Sequence, residues 1–435
     1  MAGLLVCALS PTGVVSATDS QTMPAKPQSG PVFAPFISTG DMSSSGLTSK
    51  VSGFLAPAAT GSTITAEVQD ATTSRVMLDS NAAQEMIPAS TLKIVTAAAA
   101  LAKLGATSRF NTIVVQAGNE LTLVGGGDPT LTTHTARNWR GKPAGVEQPP
   151  SLDELAQMTA NALSGNKGPY VVNVDASFFE GPTHAQSWAS EYLASGYVSP
   201  ISGLTVDFGV TSSGAALGDP VSYAAKYFVS ALKDRGIDAT YGSHKVAPNA
   251  ATEVTHVQSA TVVDIVERML TTSNNTMAEF LAHHVGKLKG DSTFDRSAKA
   301  VEDAVSALGI STNGMKLYDG SGLSADDRVS ARTLVDVLQA AQTSHPELWP
   351  IVSGLPIAGV SGTLAKRYSL HSVGRGYVRA KTGTLFGVVT LVGTTVDKAG
   401  DLVTFAVMAN GVRSDAIEEK QLDAMVQTIA GCGCH

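Results

Sequence analysis

Ser90 and Lys93 stand three positions apart in the segment Ser90-Thr91-Leu92-Lys93, and a hydroxyl paired with an amine is what nucleophilic acyl transfer needs. Pro88 just before them marks a helix start. Ser90 therefore falls where unpaired backbone N–H groups and the positive end of the helix dipole favour an oxyanion, and a residue three positions on returns to the same face. Lys93 can then reach the Ser90 hydroxyl. To act as a base it must be neutral, which from an ordinary value of about 10.4 requires a shift of roughly three units, or about 4 kcal/mol. Burial in the Ala-rich helix that follows and a second nearby cation would supply that shift. The alternative for such a pair is a helix cap with a solvated lysine. The same spacing recurs in Ser164 with Lys167 and in Ser230 with Lys233, but Ser164 falls in a Gly-bounded loop and Ser230 late in an amphipathic helix. Only Ser90 follows a helix-start signal.

Two later groups supply what a serine–lysine pair lacks. Ser273-Asn274-Asn275 interrupts a helical pattern between Met269 and Met277, as a loop carrying a hydroxyl and a carboxamide would. By itself this is a weak signal, since Ser164 with Asn166 and Ser311 with Asn313 share the spacing. Lys381-Thr382-Gly383 is the only Lys-Thr-Gly in the chain and opens an apolar strand. A cation beside a glycine that permits close backbone approach suits docking of an extended substrate ending in a carboxylate. Other chemistries lack their parts. Gly320-Ser321-Gly322 has Asp319 where a nucleophile elbow needs Gly, and Gly125-Gly126-Gly127-Asp128 lacks the Lys-Ser/Thr of a phosphate loop. With no His-Glu-x-x-His pair and cysteines only at 7, 432 and 434, neither a metal nor a cofactor is expected.

The elements that must position these groups are legible in the patterning. Residues 61–70 and 74–79 alternate as two strands around a turn at 71–73, so a hairpin opens the ordered region. The segment 85–105 reads as one long, nearly uncharged, buried helix stopped by Gly105. Short strands at 109–116, 120–127 and 169–177 then alternate with helices at 151–163 and 221–235. A second helical group covers 262–287 and 292–308. Residues 378–397 and 401–411 read as adjacent antiparallel strands joined by a turn at 398–400, and a helix at 415–430 would cover that sheet. Helices and antiparallel strands in this order predict an α+β fold.

At 435 residues the chain is long enough for several domains. Only 15% of its residues are charged, the net charge is −7 and no basic block offers a stripe for phosphates, so nucleic acid is excluded as a partner. Residues 1–17 combine a short apolar stretch with Val15-Ser16-Ala17 and read as a signal peptide that lacks its basic start, while 18–50 are rich in Pro, Ser, Thr and Gly and read as a flexible linker. Order is expected from Val51. The tail Cys432-Gly433-Cys434-His435 reads as a frayed end, with a local disulfide or a link between two molecules as the alternatives.

Taken together, the three groups resemble the penicillin-binding protein and serine β-lactamase superfamily. Ser273 lies 183 positions after Ser90, room for an extra domain, and Lys381 lies 108 positions after Ser273. With LVGGGDPTL (123–131), YDGSGLS (318–324) and GVSGTLAKR (359–367), the chain resembles the D-alanyl-D-alanine carboxypeptidase/endopeptidase family, peptidase family S13, of the penicillin-binding protein 4 type. The resemblance implies a penicillin-binding-protein/β-lactamase-like transpeptidase domain at 51–106 and 261–430, split by an inserted α/β region at 107–260 that shapes access for stem peptides. It implies Ser90 as the acylated nucleophile, Lys93 as its base, Ser273 as a proton relay and Asn275 as a holder of the substrate amide. Lys381 would supply positive charge, with Thr382, Gly383 and Thr384 as substrate-binding partners and the N–H groups of Ser90 and Thr384 as an oxyanion hole. The implied partners are peptidoglycan stem peptides ending in D-Ala-D-Ala, with β-lactams as covalent inhibitors, and the implied setting is extracytoplasmic. Membrane association is compatible with these features and not required by them. A wall sensor that acylates without turnover and a serine β-lactamase are the alternatives.

Overall fold

A computed structural model describes residues 43–55, 61–134, 148–163 and 165–434, so the signal-like segment and most of the expected linker lie outside the described residues. Order begins earlier than expected: helix α1 (Ser44–Leu55) occupies the end of the stretch read as linker. Its Leu47 and Val51, one turn apart, are fully buried, and that contact is what a composition count over the whole stretch hides. The hairpin follows as β1 (Thr63–Asp70) and β2 (Val76–Ser80), then the short β3 (Glu85–Met86). A 3-10 turn at Ala89–Leu92 leads into α2 (Lys93–Leu104), which stops at Gly105 with φ 85°. Next come β4 (Asn111–Ala117), β5 (Glu120–Gly125), α3 (Leu152–Ala162), β6 (Tyr170–Asp175), α4 (Glu191–Ala194), α5 (Pro220–Lys233), β7 (Ala239–His244) and β8 (Thr252–Gln258). The last third holds α6 (Val262–Thr272), α7 (Asn275–Lys287), α8 (Phe294–Ser306), β9 (Val329–Ser330), α9 (Ala331–Thr343), α10 (Trp349–Ser353), β10 (Arg379–Leu385), β11 (Val388–Val396), β12 (Leu402–Asn410) and α11 (Asp415–Ala430).

Outside 107–260, helices pack on both faces of an antiparallel sheet with strand order β10-β11-β12-β1-β2, so the opening hairpin and the Lys381 strand share it, and β3 pairs with β9 beside it. Side chains alternate across the sheet. Val392, Ala406 and Met408 face the core built from α2, α6, α7, α8 and α9, while Val68, Leu391 and Phe405 face a second core with α1 and α11. The run at 378–397 is two strands rather than one, because Gly387 with φ 73° lets Phe386 and Gly387 make a tight turn between β10 and β11. The tail is likewise not frayed. Cys432 and Cys434 are bonded to each other with Cα atoms 5.1 Å apart, both are buried, and the Ser43 N–H donates to the Cys434 carbonyl at 2.5 Å.

Within 107–260 the chain builds a second sheet, order β7-β6-β5-β4-β8, parallel at β5–β6 and β6–β7 and antiparallel elsewhere. It has its own core, in which Leu121, Leu123 and Val172 meet Leu155 of α3 and Phe228 of α5. This mixture of strand directions and helices is the α/β character expected of that stretch.

Candidate active site

The turn that carries Ser90 is seated against β10 and β11 of the first sheet. Ala89 takes φ 47°, a conformation rarely adopted by residues with a side chain, and this bend brings Ser90 onto the 3-10 turn at the start of α2. The turn is tied from both sides. Thr91 Oγ1 donates to the Pro88 carbonyl at 2.6 Å, and Thr390 Oγ1 of β11 donates to the same carbonyl at 2.9 Å.

Lys93 is fully buried, and its Nζ donates to Ser90 Oγ at 2.9 Å, to Asn275 Oδ1 at 2.7 Å and to the Ser321 carbonyl at 2.7 Å. Burial pushes its pKa down to about 8, against the opposing pull of Asp319, Glu279 and Asp327 behind it. The amine is thus bonded to the hydroxyl it would deprotonate and is close to neutral at moderately alkaline pH. Among those carboxyls, burial raises Glu279 to about 8 and holds Asp327 well above the usual carboxylate range.

Lys381, on the edge strand β10, is also fully buried and donates to Ser273 Oγ at 2.8 Å and to the Thr382 carbonyl at 2.7 Å. Burial first, and then the charge of Lys93, hold its pKa well below the ordinary lysine value. Ser273 caps α6 in the left-handed conformation, φ 57° and ψ 36°, which aims its hydroxyl at Lys381 and ends the helix before α7. Two buried lysines, each bonded to a serine hydroxyl, therefore converge from opposite sides with Asn275 between Lys93 and the second-sheet region.

The remaining expected residues lie along β10. The Ala380 N–H donates outward to the Pro356 carbonyl at 2.9 Å, so by the two-residue alternation of a strand the Thr382 and Thr384 N–H groups share that outer edge. Thr382 Oγ1 donates to Thr363 Oγ1 at 2.9 Å and Thr384 Oγ1 to Glu419 Oε1 at 3.3 Å. Gly383 has a packing reason besides the one expected. A Cβ there would meet Thr390 Oγ1 at 2.1 Å and the Pro88 carbonyl at 2.8 Å, so its bareness seats the Ser90 turn against the sheet.

Sequence reasoning missed several partners. Asn275 was read only as a holder of substrate, yet its Oδ1 accepts from Lys93 and its Nδ2 donates to the Tyr197 carbonyl at 2.8 Å. The YDGSGLS loop supplies the Ser321 carbonyl to Lys93, and GVSGTLAKR supplies Thr363. Both segments stood out as motifs, but a backbone carbonyl has no residue-type signature, and Thr363 becomes a neighbour of Thr382 only through folding.

A model of the D-Ala-D-Ala carboxypeptidase 3 (S13) family matches residues 47–218 and 211–431. Carboxypeptidase DacB of Mycolicibacterium smegmatis is 33% identical over 387 residues, covering 85% of this chain and 81% of that protein. A D-alanyl-D-alanine carboxypeptidase of Actinomadura sp. (strain R39) is 29% identical over 446 residues, covering 82% and 79%. In fold, the crystal structure of penicillin binding protein 4 from Haemophilus influenzae superposes with a TM-score of 0.71 at 21% identity, covering 90% of this chain and 98% of that one. Since the family model takes in the Ser90 turn, both sheets and the Lys381 strand, the chain belongs to the D-Ala-D-Ala carboxypeptidase 3 (S13) family.

Proposed function

We propose that the chain is a serine D-alanyl-D-alanine carboxypeptidase that acts through an acyl-enzyme on Ser90, with endopeptidase action on D-Ala cross-links available to the same chemistry. The observation that carries this is the 2.9 Å contact between Ser90 Oγ and a buried Lys93 whose pKa is pushed down to about 8. Neutral Lys93 takes the Ser90 proton as Oγ attacks the carbonyl of the penultimate D-Ala. The oxyanion develops against the N–H groups of Ser90 and Thr384. The peptide bond then breaks, and Ser273, bonded to Lys381, passes a proton to the departing nitrogen of the terminal D-Ala. Its carboxylate lies along β10 against Thr382, Thr384 and Lys381, whose ammonium form it favours on arrival. Water then releases the shortened peptide from Ser90.

The substrate sets the place of action: peptidoglycan lies outside the cytoplasm, and the signal-like segment at 1–17 fits an exported protein. Residues 107–260 serve as an insert that shapes access to the site. The same serine takes β-lactams as covalent inhibitors, because a strained lactam carbonyl and its carboxylate imitate the D-Ala-D-Ala terminus. A β-lactamase is less well supported, since among the described residues no carboxylate is hydrogen-bonded to Ser90 or Lys93 to activate a hydrolytic water. The test pairs D-alanine release from a stem peptide ending in D-Ala-D-Ala with mass mapping of the penicillin adduct. Release together with an adduct on Ser90, both lost in Ser90→Ala, is expected; an adduct without release would favour a sensor.

A further inference from the structure

Residues 188–199, which belong to the second-sheet region, leave their own sheet and cross the loops around Lys93. Trp188 Nε1 donates to Asp319 Oδ2 at 2.8 Å, the Tyr197 carbonyl accepts from Asn275 Nδ2 at 2.8 Å, and the Ser199 N–H donates to Thr276 Oγ1 at 3.0 Å. An apolar cluster anchors the crossing: Trp188, Val198 and Ile201 pack with Phe280 of α7, Phe294 of α8 and Leu323. The indole meets Phe294 edge-on, with centroids 5.2 Å apart.

Asp319 is 1% exposed and organises the loop that reaches Lys93. Besides the indole, its carboxylate accepts from the N–H groups of Ser321 at 3.0 Å, Gly322 at 2.7 Å and Ser324 at 2.8 Å. Those bonds curl the loop so that the Ser321 carbonyl accepts from Lys93 Nζ at 2.7 Å. We propose that Trp188 is a positioning residue for acylation: its indole N–H completes the donor shell of Asp319 and, through the 319–324 loop, sets both the place and the basicity of Lys93. This rests on the reading of Lys93 as the base. It also gives the second-sheet region a part in the chemistry beyond shaping access.

The electrostatics give the proposal a signature that packing alone would not produce. Lys93 faces Asp319 and Asp327 from the loop, Glu279 from α7 and Lys381 from β10, while Asp319 also faces the Tyr192 phenol. A donor on Asp319 spreads its negative charge. Without that donor the carboxylate bears more fully on Lys93, the ammonium is favoured, and the rise of acylation with pH moves upward.

The test measures the second-order rate constant of penicillin acylation against pH for the full chain, for Trp188→Phe and for protein carrying benzothienylalanine at 188, which keeps the shape but replaces N–H by sulfur. The wild type is expected to rise through a limb near pH 8. Both variants should show that limb higher by about half a unit or more and a rate at neutral pH lower by roughly three- to tenfold, with D-alanine release falling in parallel. A limb that stays in place, with rates either unchanged or lowered equally at every pH, would overturn the role of Trp188 alone. A wild type with no limb near pH 8 would instead overturn the base reading on which it stands. If Trp188→Phe fails to fold, the isosteric variant decides.

Discussion

Gly322 offers a test of the proposed role of Ser90 that touches no atom of Ser90 or Lys93. Its φ is 79°, and the Cβ of an alanine there would lie 1.9 Å from the Ala89 carbonyl oxygen, 2.6 Å from the carbonyl carbon and 3.2 Å from Leu92 Cβ. Real Cβ contacts essentially never fall under 3.0 Å, so the two segments must part by about 1.1 Å. Ala89 cannot absorb this quietly, because it already holds φ 47° and the carbonyl before it is fastened by Thr91 and Thr390. The displacement passes to Ser90. A misplacement of about 1 Å in a reacting group lowers a rate by about 100-fold, or about 2.7 kcal/mol in the barrier. Gly322→Ala should therefore be labelled by a fluorescent penicillin about 100-fold more slowly than the wild type, with a further loss of about 1 to 3 kcal/mol in urea unfolding from the left-handed backbone. Gly376→Ala is the control, since Gly376 has φ 80° but no atom within 4 Å of the added Cβ: it should show the backbone strain with normal labelling. Labelling of Gly322→Ala within threefold of the wild type, or equal slowing in Gly376→Ala, would refute the reasoning.

A chromogenic cephalosporin should give a burst near one equivalent and then a slow steady state, because the opened lactam stays tethered where water must approach; rapid multiple turnover without D-alanine release from a peptide would move the assignment to β-lactamase. Lys381→Met should slow acylation by carboxylate-bearing penicillins by about 100-fold or more. A neutral ester substrate lacking that carboxylate should lose less, and equal losses would separate Lys381 from carboxylate recognition. Burial lowers His283 to about 4 and His284 to about 3, so the unfolded chain takes up protons there first, and their contribution, whole above about pH 6.5, is lost as pH falls toward those values. His284→Phe, read by urea unfolding, should therefore gain on the wild type by about 2 kcal/mol between pH 7 and pH 5; no relative gain would place the acid-sensitive group elsewhere.

What the sequence made legible was set by how local each cause is. The hairpin, α7 and α11 follow from patterning that neighbouring residues share, as does α2, although it begins at Lys93 rather than at residue 85 because β3 and the left-handed Ala89 precede it; Ser90 with Lys93 follows from helix geometry across one turn. Lys381 and Ser273 were identified as separate groups, and their 2.8 Å contact follows only once β10 takes the edge of the sheet next to the α6–α7 junction. The helix at 44–55 was hidden because its stability comes from burial against elements far along the chain, with Leu47 and Val51 as its only fully buried side chains. Trp188, 131 positions from Asp319, carried no signal at all, since a lone tryptophan among polar neighbours such as Gln186, Ser187 and Ser190 gives no hint of what its one polar atom meets after folding.

If Lys381 meets the substrate carboxylate and Lys93 serves as the base, the two buried lysines let one site both bind an anion and hold a neutral amine. Lys93 is backed by Asp319, Glu279 and Asp327, whereas Lys381 has only neutral oxygens within hydrogen-bonding distance. In the free enzyme, burial and the Lys93 charge both disfavour a second ammonium at Lys381. A carboxylate docking along β10 reverses that balance, since an opposite charge at close range favours the charged lysine. An ammonium at Lys381 then acts on Lys93 as Lys93 had acted on it, lowering its pKa and favouring the neutral amine that can take the Ser90 proton. On the proposed roles of Lys381 and Lys93, recognition of the terminal carboxylate and activation of Ser90 would be one electrostatic event. A peptide without a C-terminal carboxylate would lose rate in the acylation step itself and not only affinity.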